Sequence, residues 1–134
     1  MLVVDREART IEGIAVPLDV VAQPRIALPR RYPRGSLTWT MAWDVKLLID
    51  HNHGLWVGRA LQLTESLDGL RATFKVSWGE RGDRALELAA ATHKGLSIGT
   101  ADEEFRVTAD GIEECVHARI IEVSLTKNPV FGFF

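Results

Sequence analysis

The chain has 134 residues, 46% of them hydrophobic, which is typical of one domain that buries its own core. Its 16 basic and 18 acidic side chains nearly balance, so the composition excludes the concentrated basic face that binds nucleic acid or anionic lipid. No run approaches the roughly 20 apolar residues of a membrane span, and the first residues do not have the pattern of a signal peptide. The single cysteine, Cys115, excludes an internal disulfide. We expect one intracellular domain over residues 1–134.

The first part of the chain predicts short strands separated by irregular segments. Residues 10–18 are β-branched and predict a strand, whereas residues 20–36 contain three prolines and predict irregular chain. Ser36 is a suitable N-cap for a short helix over residues 37–44. The apolar run at 45–51 predicts a strand that ends at a polar cluster.

Two hairpins are predicted in the rest of the chain. Residues 70–77 alternate apolar and polar side chains strictly, which is the period of a strand with one buried face. Asp68 and Gly69 form a dipeptide that favours the positive φ of a tight hairpin turn. The predicted arms are 56–66 with 70–77, and 96–107 with 112–125.

Residues 83–95 predict the one clear helix, with Asp83 as its N-cap and Gly95 just past its C-terminus. The total is six or seven strands, mostly joined by hairpins, and two helices. This count predicts a mainly β (α+β) fold, a small antiparallel barrel with flanking helices.

Residues 95–99, "GLSIG", match the Gly-x-Ser-x-Gly pattern of serine hydrolases. In an α/β-hydrolase this serine lies on a strand-to-helix turn, and the acid and the histidine follow it in the chain. Here Ser97 follows a predicted helix and precedes a strand, and the only later histidine is His117. The pattern therefore does not indicate an α/β-hydrolase. A purely structural serine is the simpler alternative.

Three residues at or near the ends of predicted elements nevertheless have complementary chemistry: His51, Ser97 and Glu122. A serine hydroxyl becomes a nucleophile when an imidazole takes its proton, and that imidazole needs a group to orient it. Glu122 lies in an apolar strand, where a buried carboxylate requires a partner. We interpret Ser97 as nucleophile, His51 as general base and Glu122 as the orienting acid.

A metal site is the alternative for residues 50–53, "DHNH", because His51 and His53 would share one face of a strand. A four-ligand zinc site needs further ligands, and His93 and His117 are not at zinc-finger or zincin spacing. We therefore expect no metal, and we interpret His93 and His117 as surface or packing residues.

Five segments resemble, in their order, the prohead maturation serine proteases of tailed phages, from about Ile11 to Val130. This family is similar in fold to the herpesvirus assemblins, so the resemblance implies a herpesvirus-protease-like barrel. The segments are "IEGIAVPLDV" at 11–20, "RGSLTW" at 34–39, the long run from "VKLLIDHNH" to "RATFKV" at 45–76, "KGLSIGT" at 94–100 and "ARIIEVSLTKNPVF" at 118–131.

The resemblance implies that Ser97 is the nucleophile and His51 the base. The third member is a histidine in the herpesvirus branch and acidic in phage branches, so Glu122 is the best match and His117 the alternative. Relatives commonly have an acidic residue directly after the histidine, where this chain has Asn52. For the oxyanion donors the sequence does not choose among the backbone N–H groups of Ile98 and Gly99 and the side chains of Arg119 and Arg59.

The function implied by this resemblance is a serine endopeptidase of phage capsid maturation. Its substrates would be the scaffold, the scaffolding segment of the capsid protein and the protease itself, inside the procapsid in the host cytoplasm. A homodimer or homo-oligomer is expected by analogy. No cofactor is expected, and neither nucleic acid nor a membrane is expected as a partner. Two alternatives stay open: a catalytically inactive capsid-assembly domain of the same fold, and a small ligand-binding barrel unrelated to viruses.

Overall fold

A computed structural model describes residues 1–23 and 28–131, and residues 24–27 of the predicted irregular segment lie outside this description. The described chain forms one sheet and one α-helix, α1 (Glu80–Ala91). The strands are β1 (Val3–Asp5), β2 (Thr10–Val16), β3 (Val21–Ala22), β4 (Arg30–Arg31), β5 (Leu37–Thr38), β6 (Lys46–Ile49), β7 (Trp56–Ser66), β8 (Gly69–Val76), β9 (Gly95–Val107) and β10 (Glu113–Thr126).

Both predicted hairpins are confirmed. β7 and β8 pair antiparallel around a turn in which Gly69 has a φ of 138°, a conformation that glycine adopts without a steric penalty. β9 and β10 form the other hairpin, and three irregularities of register between Cys115 and Glu122 bend this long pair. The prediction of a strand at 45–51 is also confirmed, with the observed strand limited to β6.

The closed, six- to seven-stranded, herpesvirus-protease-like barrel is wrong for this chain, although the mainly β class is confirmed. The described sheet has ten strands. Eight of them follow the order β1-β2-β8-β7-β6-β10-β4-β3, and β5 and β9 each pair with β10 outside this order. The sheet curls into a half-barrel. β10 pairs antiparallel with β9 on one side and parallel with the short β4, β5 and β6 on the other. The sheet therefore ends at β1 and β3, and neither end pairs with the other.

The two faces of the central strands have different roles. On β10, Val123 and Leu125 belong to the hydrophobic core, and on β6 Leu47 does as well. Because side chains alternate between the faces of a strand, the residues between them project from the opposite, outer face. Glu122 and Ser124 are on that outer face, although both are buried.

The helical predictions are partly wrong. α1 begins at Glu80 after Gly79, whose φ of 100° is accessible to glycine, so Asp83 lies in the first turn and is not the N-cap. Its carboxylate instead accepts a hydrogen bond of 2.7 Å from Arg9 Nη1. Gly95 is the first residue of β9 rather than a helix cap, and a Cβ there would lie 2.5 Å from Pro129 Cγ. These contacts are made across the fold, so helix propensity alone does not place the ends.

The predicted helix over residues 37–44 is also wrong. Residues 37–38 form β5, which pairs with β10, and only a single 3₁₀ turn follows at Ala42–Asp44. The backbone N–H of Ala118 donates to the Ser36 carbonyl at 3.0 Å, so pairing with β10 replaces the helical hydrogen bonds there. Neither this turn nor α1 is long and apolar enough to cross a membrane, and this finding covers the described residues.

We predict that Gly82→Ala destabilises the protein, although alanine is ordinarily the better helix former by about 1 kcal/mol. A Cβ on Gly82 would collide with the Ser77 carbonyl oxygen and lie 2.6 Å from Arg9 Nη2. We expect the free energy of unfolding in urea to fall by about 1–3 kcal/mol, the usual range for overpacking.

The matched control is Arg84→Ala, an exposed position on the same helix, for which we expect a change within about 0.5 kcal/mol. A stabilised Gly82→Ala variant would contradict the close approach of α1 to the segment that follows β8.

Candidate active site

The candidate site is built on a strained turn at the end of β6. The N–H of Asn52 donates to the Ile49 carbonyl at 3.0 Å, and the two central residues, Asp50 and His51, have φ values of 51° and 57°. Positive φ is unfavourable for residues with a Cβ, and such strain concentrates at functional sites. The Asp50 N–H donates to the Leu125 carbonyl at 3.0 Å, which fixes the turn against β10.

This turn directs the His51 imidazole toward Glu122 on β10. Nδ1 lies 2.8 Å from Oε1 and 3.0 Å from Oε2 of the carboxylate. The two residues interpreted as base and orienting acid are therefore in contact, and their catalytic roles stay a prediction. The partners differ in their access to solvent, because the His51 side chain is 45% exposed and that of Glu122 only 3%. The pair thus presents an accessible imidazole on a buried acid.

Burial raises the pKa of Glu122 above its ordinary value of 4.5. The neighbouring imidazoles of His51 and His53 and the Ser124 hydroxyl act in the opposite direction and do not cancel the effect of burial. The carboxylate occupies space that only glycine leaves on β9, since a Cβ on Gly99 would lie 2.9 Å from Oε1 of Glu122. Gly99 is therefore needed to accommodate the acid.

Ser97 lies on the same outer face as the histidine–acid pair. In the register of β9 against β10, Ser97 is opposite Ser124, and Gly99 is opposite Glu122. Directly paired residues of antiparallel strands project from one face, with Cβ atoms about 4.5–5.5 Å apart. Ser97 is 6% exposed, and within residues 1–23 and 28–131 its hydroxyl has no hydrogen-bond partner. The structure thus brings all three predicted residues to one face and leaves the serine–histidine hydrogen bond unformed.

Ser124 belongs to the same cluster and was missed in the sequence. Its buried hydroxyl accepts the His51 backbone N–H at 2.9 Å and donates to Glu122 Oε2 at 3.3 Å. One side chain thus holds both the backbone of the histidine and its acidic partner. The signal in the sequence was the spacing of two between Glu122 and Ser124 in a strand, which places both on one face.

A second histidine–acid contact supports the turn from the other side. His93, between α1 and β9, is buried, so it is a packing residue rather than a surface residue, and its Nε2 lies 3.1 Å from Asp50 Oδ2. Its Nδ1 lies 2.9 Å from the Thr92 hydroxyl. Because Asp50 directly precedes His51, this contact connects the turn that carries His51 to the segment before β9, the strand that contains Ser97.

The side chains of the other candidate residues take no part in this cluster. Arg119 pairs with Asp102 at 3.0 Å, and His117 is exposed beside Glu104. Arg59 stacks on tryptophans of the outer face. The side chain of Ile98 packs toward the core, so only its backbone is available to the site.

The candidate residues lie on the outer face of the sheet, where the His51 side chain is partly exposed and Ser97 and Glu122 are buried. A cleft of about 760 Å³ lies between β1 and α1, and it is lined by Leu2, Val4, Ala89 and their neighbours and by none of the three candidate residues. In the described part of the chain, no three His, Cys, Asp or Glu side chains are grouped so that they could hold a metal ion. The chemistry available to the cluster is thus that of a hydroxyl, an imidazole and a buried carboxylate.

A scan against models of known protein families, a search of curated proteins and a search of solved structures each found no match to this chain. The resemblance to prohead proteases therefore depends on the order and spacing of the motifs.

The two facing serines should respond differently to removal of their hydroxyls. We predict that Ser124→Ala lowers the free energy of unfolding by about 1–3 kcal/mol, because it leaves a buried carboxylate and the His51 N–H short of a partner. Ser97→Ala should change it by less than about 0.5 kcal/mol, because the Ser97 hydroxyl has no hydrogen bond to lose. Urea unfolding of both variants measures the difference, and equal losses would contradict the assigned hydrogen bonds.

The raised pKa of Glu122 makes stability depend on pH. Below pH 4.5 the carboxyl is protonated in both folded and unfolded chains, so its charge contributes no penalty. As the pH rises from 4.5 through the raised folded pKa, the unfolded chain loses this proton first, so the stability of the wild type falls. We expect the stability of wild type relative to Glu122→Gln to decrease over this window in urea unfolding at a series of pH values. A relative stability that increased with pH would mean that the folded pKa is lowered.

Proposed function

We propose that the protein is a serine peptidase, with Ser97 as nucleophile, His51 as general base and Glu122 as the acid that orients the base. The observation that carries the proposal is the contact of 2.8 Å between His51 Nδ1 and the buried Glu122 carboxylate. A partly exposed histidine held by a buried acid lies on the same face of the sheet as a serine, and these are the three groups that an activated serine nucleophile requires.

The contact with Glu122 determines which nitrogen of His51 can act as the base. An ionised carboxylate only accepts hydrogen bonds, so Nδ1 carries the proton and Nε2 of the neutral ring has the free lone pair. Nε2 therefore takes the proton from Ser97 as Oγ attacks a peptide carbonyl. Glu122 then stabilises the imidazolium that forms, and the imidazolium gives its proton to the leaving amine. Water hydrolyses the acyl-enzyme by the same route in reverse.

The reaction needs a hydrogen bond between Ser97 Oγ and His51 Nε2, which the unliganded chain does not form. Such bonds are often long or absent without substrate and form in the Michaelis complex. The His51 imidazole is partly exposed, so substrate can reach the ring. The backbone of the turn is held by hydrogen bonds to β10, so the adjustment is made by rotation of side chains.

The backbone of β9 supplies candidate donors for the oxyanion. β9 pairs with β10 alone within the described sheet, and successive N–H groups of a strand point to opposite edges. One of the N–H groups of Ile98 and Gly99 therefore points away from β10 and is free to donate. Arg119 is already paired with Asp102, so the backbone is the better candidate.

The substrate class is proposed on the resemblance to prohead proteases: scaffold, the scaffolding segment of a capsid protein and the protease itself, inside a procapsid in the host cytoplasm. A partly exposed imidazole on a sheet face is accessible to an extended polypeptide, whereas a small molecule is usually held in a concave pocket. The herpesvirus-like closed barrel has no part in this proposal.

We expect a fluorophosphonate probe to label the wild-type protein on Ser97, located by mass spectrometry of the labelled peptide. Ser97→Ala should abolish the labelling, and His51→Ala should slow it by at least about 100-fold, because general-base catalysis contributes about 10²–10⁴. Cleavage of a co-expressed capsid or scaffold protein should depend on the same two residues.

The matched control is Ser36→Ala, which removes another buried serine hydroxyl far from His51 and should leave the labelling rate unchanged. If the folded wild-type protein is not labelled, the peptidase proposal fails, and the alternative of a catalytically inactive assembly domain is favoured.

A further inference from the structure

Four side chains on the outer face form a patch that the proposed chemistry does not use; we call Trp43, Lys46, Trp56 and Arg59 the aromatic–cation patch. The Arg59 guanidinium lies 5.7 Å from the ring centroid of Trp43 and 5.2 Å from that of Trp56. The Lys46 ammonium lies 5.9 Å from the Trp56 centroid. Trp43 is 49% and Trp56 38% exposed, which is unusual for side chains this large and apolar.

The patch begins one strand away from the candidate active site. Lys46 on β6 is directly opposite Glu122 on β10, and it is also opposite Arg59 on β7. Leu48 on β6 is opposite both Ser124 and Trp56. Paired residues share a face, so the row across the sheet leads from Ser97 and Glu122 to the aromatic–cation patch without leaving the outer face.

The two cations of the patch retain donors that nothing in the fold uses. Within residues 1–23 and 28–131, neither Lys46 nor Arg59 forms an ion pair. Arg59 donates one N–H, from Nη1 to the Trp43 carbonyl at 3.0 Å, and a guanidinium has five. Most other arginines of the described chain do have carboxylate partners; they are Arg9, Arg30, Arg31, Arg34, Arg71, Arg106 and Arg119.

Charge and shape together favour an acidic peptide as the occupant. The unused donors of Lys46 and Arg59 fit a carboxylate, and the exposed edges of Trp43 and Trp56 fit the apolar side chains on either side of it. Nucleic acid fits less well, because its bases stack on aromatic faces, and here each indole already has a cation over its ring. The net charge of −2 also gives the chain no extended positive track for a phosphate backbone.

We propose that the aromatic–cation patch is a substrate subsite that binds an acidic side chain flanked by apolar residues, on the same polypeptide that reaches Ser97. This inference rests on the proposed peptidase function. The patch lies to the β6–β7 side of the catalytic residues, so it selects residues at some distance from the scissile bond rather than the residue that is cleaved. Its occupant is held by charge-assisted hydrogen bonds at a rim exposed to solvent, and its binding therefore weakens with salt.

Binding is tested on the Ser97→Ala protein, so that the result does not depend on hydrolysis. The probes are the capped peptides GSAVEDAVGS and GSAVQNAVGS, which differ only in charge. The readout is the shift of the indole N–H signals of the four tryptophans in ¹H–¹⁵N spectra, assigned with Trp→Phe variants. We expect the acidic peptide to shift the Trp43 and Trp56 signals saturably and to bind about fivefold more tightly than its amide counterpart, the effect of one exposed charge pair.

The chain contains a matched internal control. Trp78 is 80% exposed and also has an arginine, Arg9, 4.8 Å from its centroid, but this arginine is already paired with Asp83. We expect no shift of the Trp78 signal. Replacing both cations by Lys46→Gln and Arg59→Gln should remove the preference for the acidic peptide, and the single Lys46→Gln variant tests the same point if the double variant does not fold.

A charge-matched double variant on α1, Arg81→Gln with Arg84→Gln, should keep the preference. The proposal is overturned if both peptides bind equally, if the α1 variant loses the preference as well, or if a ten-nucleotide oligo(dT) shifts the two indoles more than the acidic peptide does. Binding at the patch without any cleavage by the wild-type protein would contradict the peptidase function alone. Cleavage that ignores the acidic residues would contradict the patch alone.

Discussion

The candidate site depends on one constraint, the burial of the Glu122 carboxylate on the outer face of the sheet. A carboxylate removed from water is costly unless it is paired, and burial raises the pKa of Glu122. The carboxylate is therefore stabilised by its neighbours. The imidazole of His51 and the hydroxyl of Ser124 contact it, and Gly99, which has no side chain, leaves space for it. The contacts that offset the cost of burying this carboxylate also orient His51.

The histidine reaches the acid through an unfavourable backbone conformation that the sheet compensates. Asp50 and His51 both have positive φ, and β10 supplies hydrogen-bond acceptors for their two N–H groups, a carbonyl for one and the Ser124 hydroxyl for the other. The His93 imidazole contacts the Asp50 carboxylate. A strained turn with three separate restraints is a rigid support, and rigidity is what a general base needs to keep its orientation between turnovers.

The sequence predicted the mainly β class, both hairpins and the strand before His51, and it did not predict the open sheet. Strict alternation predicted β8. His51, Ser97 and Glu122 lie on one face of the sheet as expected, but Ser97 and His51 are not hydrogen-bonded, and the catalytic roles of the three residues stay a prediction. The parallel partners of β10 were not predictable from the sequence. β4, β5 and β6 each lie 70 or more residues before the part of β10 with which they pair, and β4 and β5 have only two residues each. The helix boundaries failed for a similar reason, since Pro129 and Arg9 fix Gly95 and Asp83 from distant parts of the chain.

The open sheet has a consequence for how a substrate would be recognised. Here β10 has long antiparallel pairing with β9 on one side and parallel pairing with β6 on the other. Ser97, the proposed nucleophile, lies on the antiparallel side and the aromatic–cation patch on the parallel side, with the buried Glu122 between them. A polypeptide crossing the strands on the outer face would therefore meet the patch and the serine in a fixed order. Under the proposed function, the selectivity of the site would then depend on residues other than Ser97, His51 and Glu122.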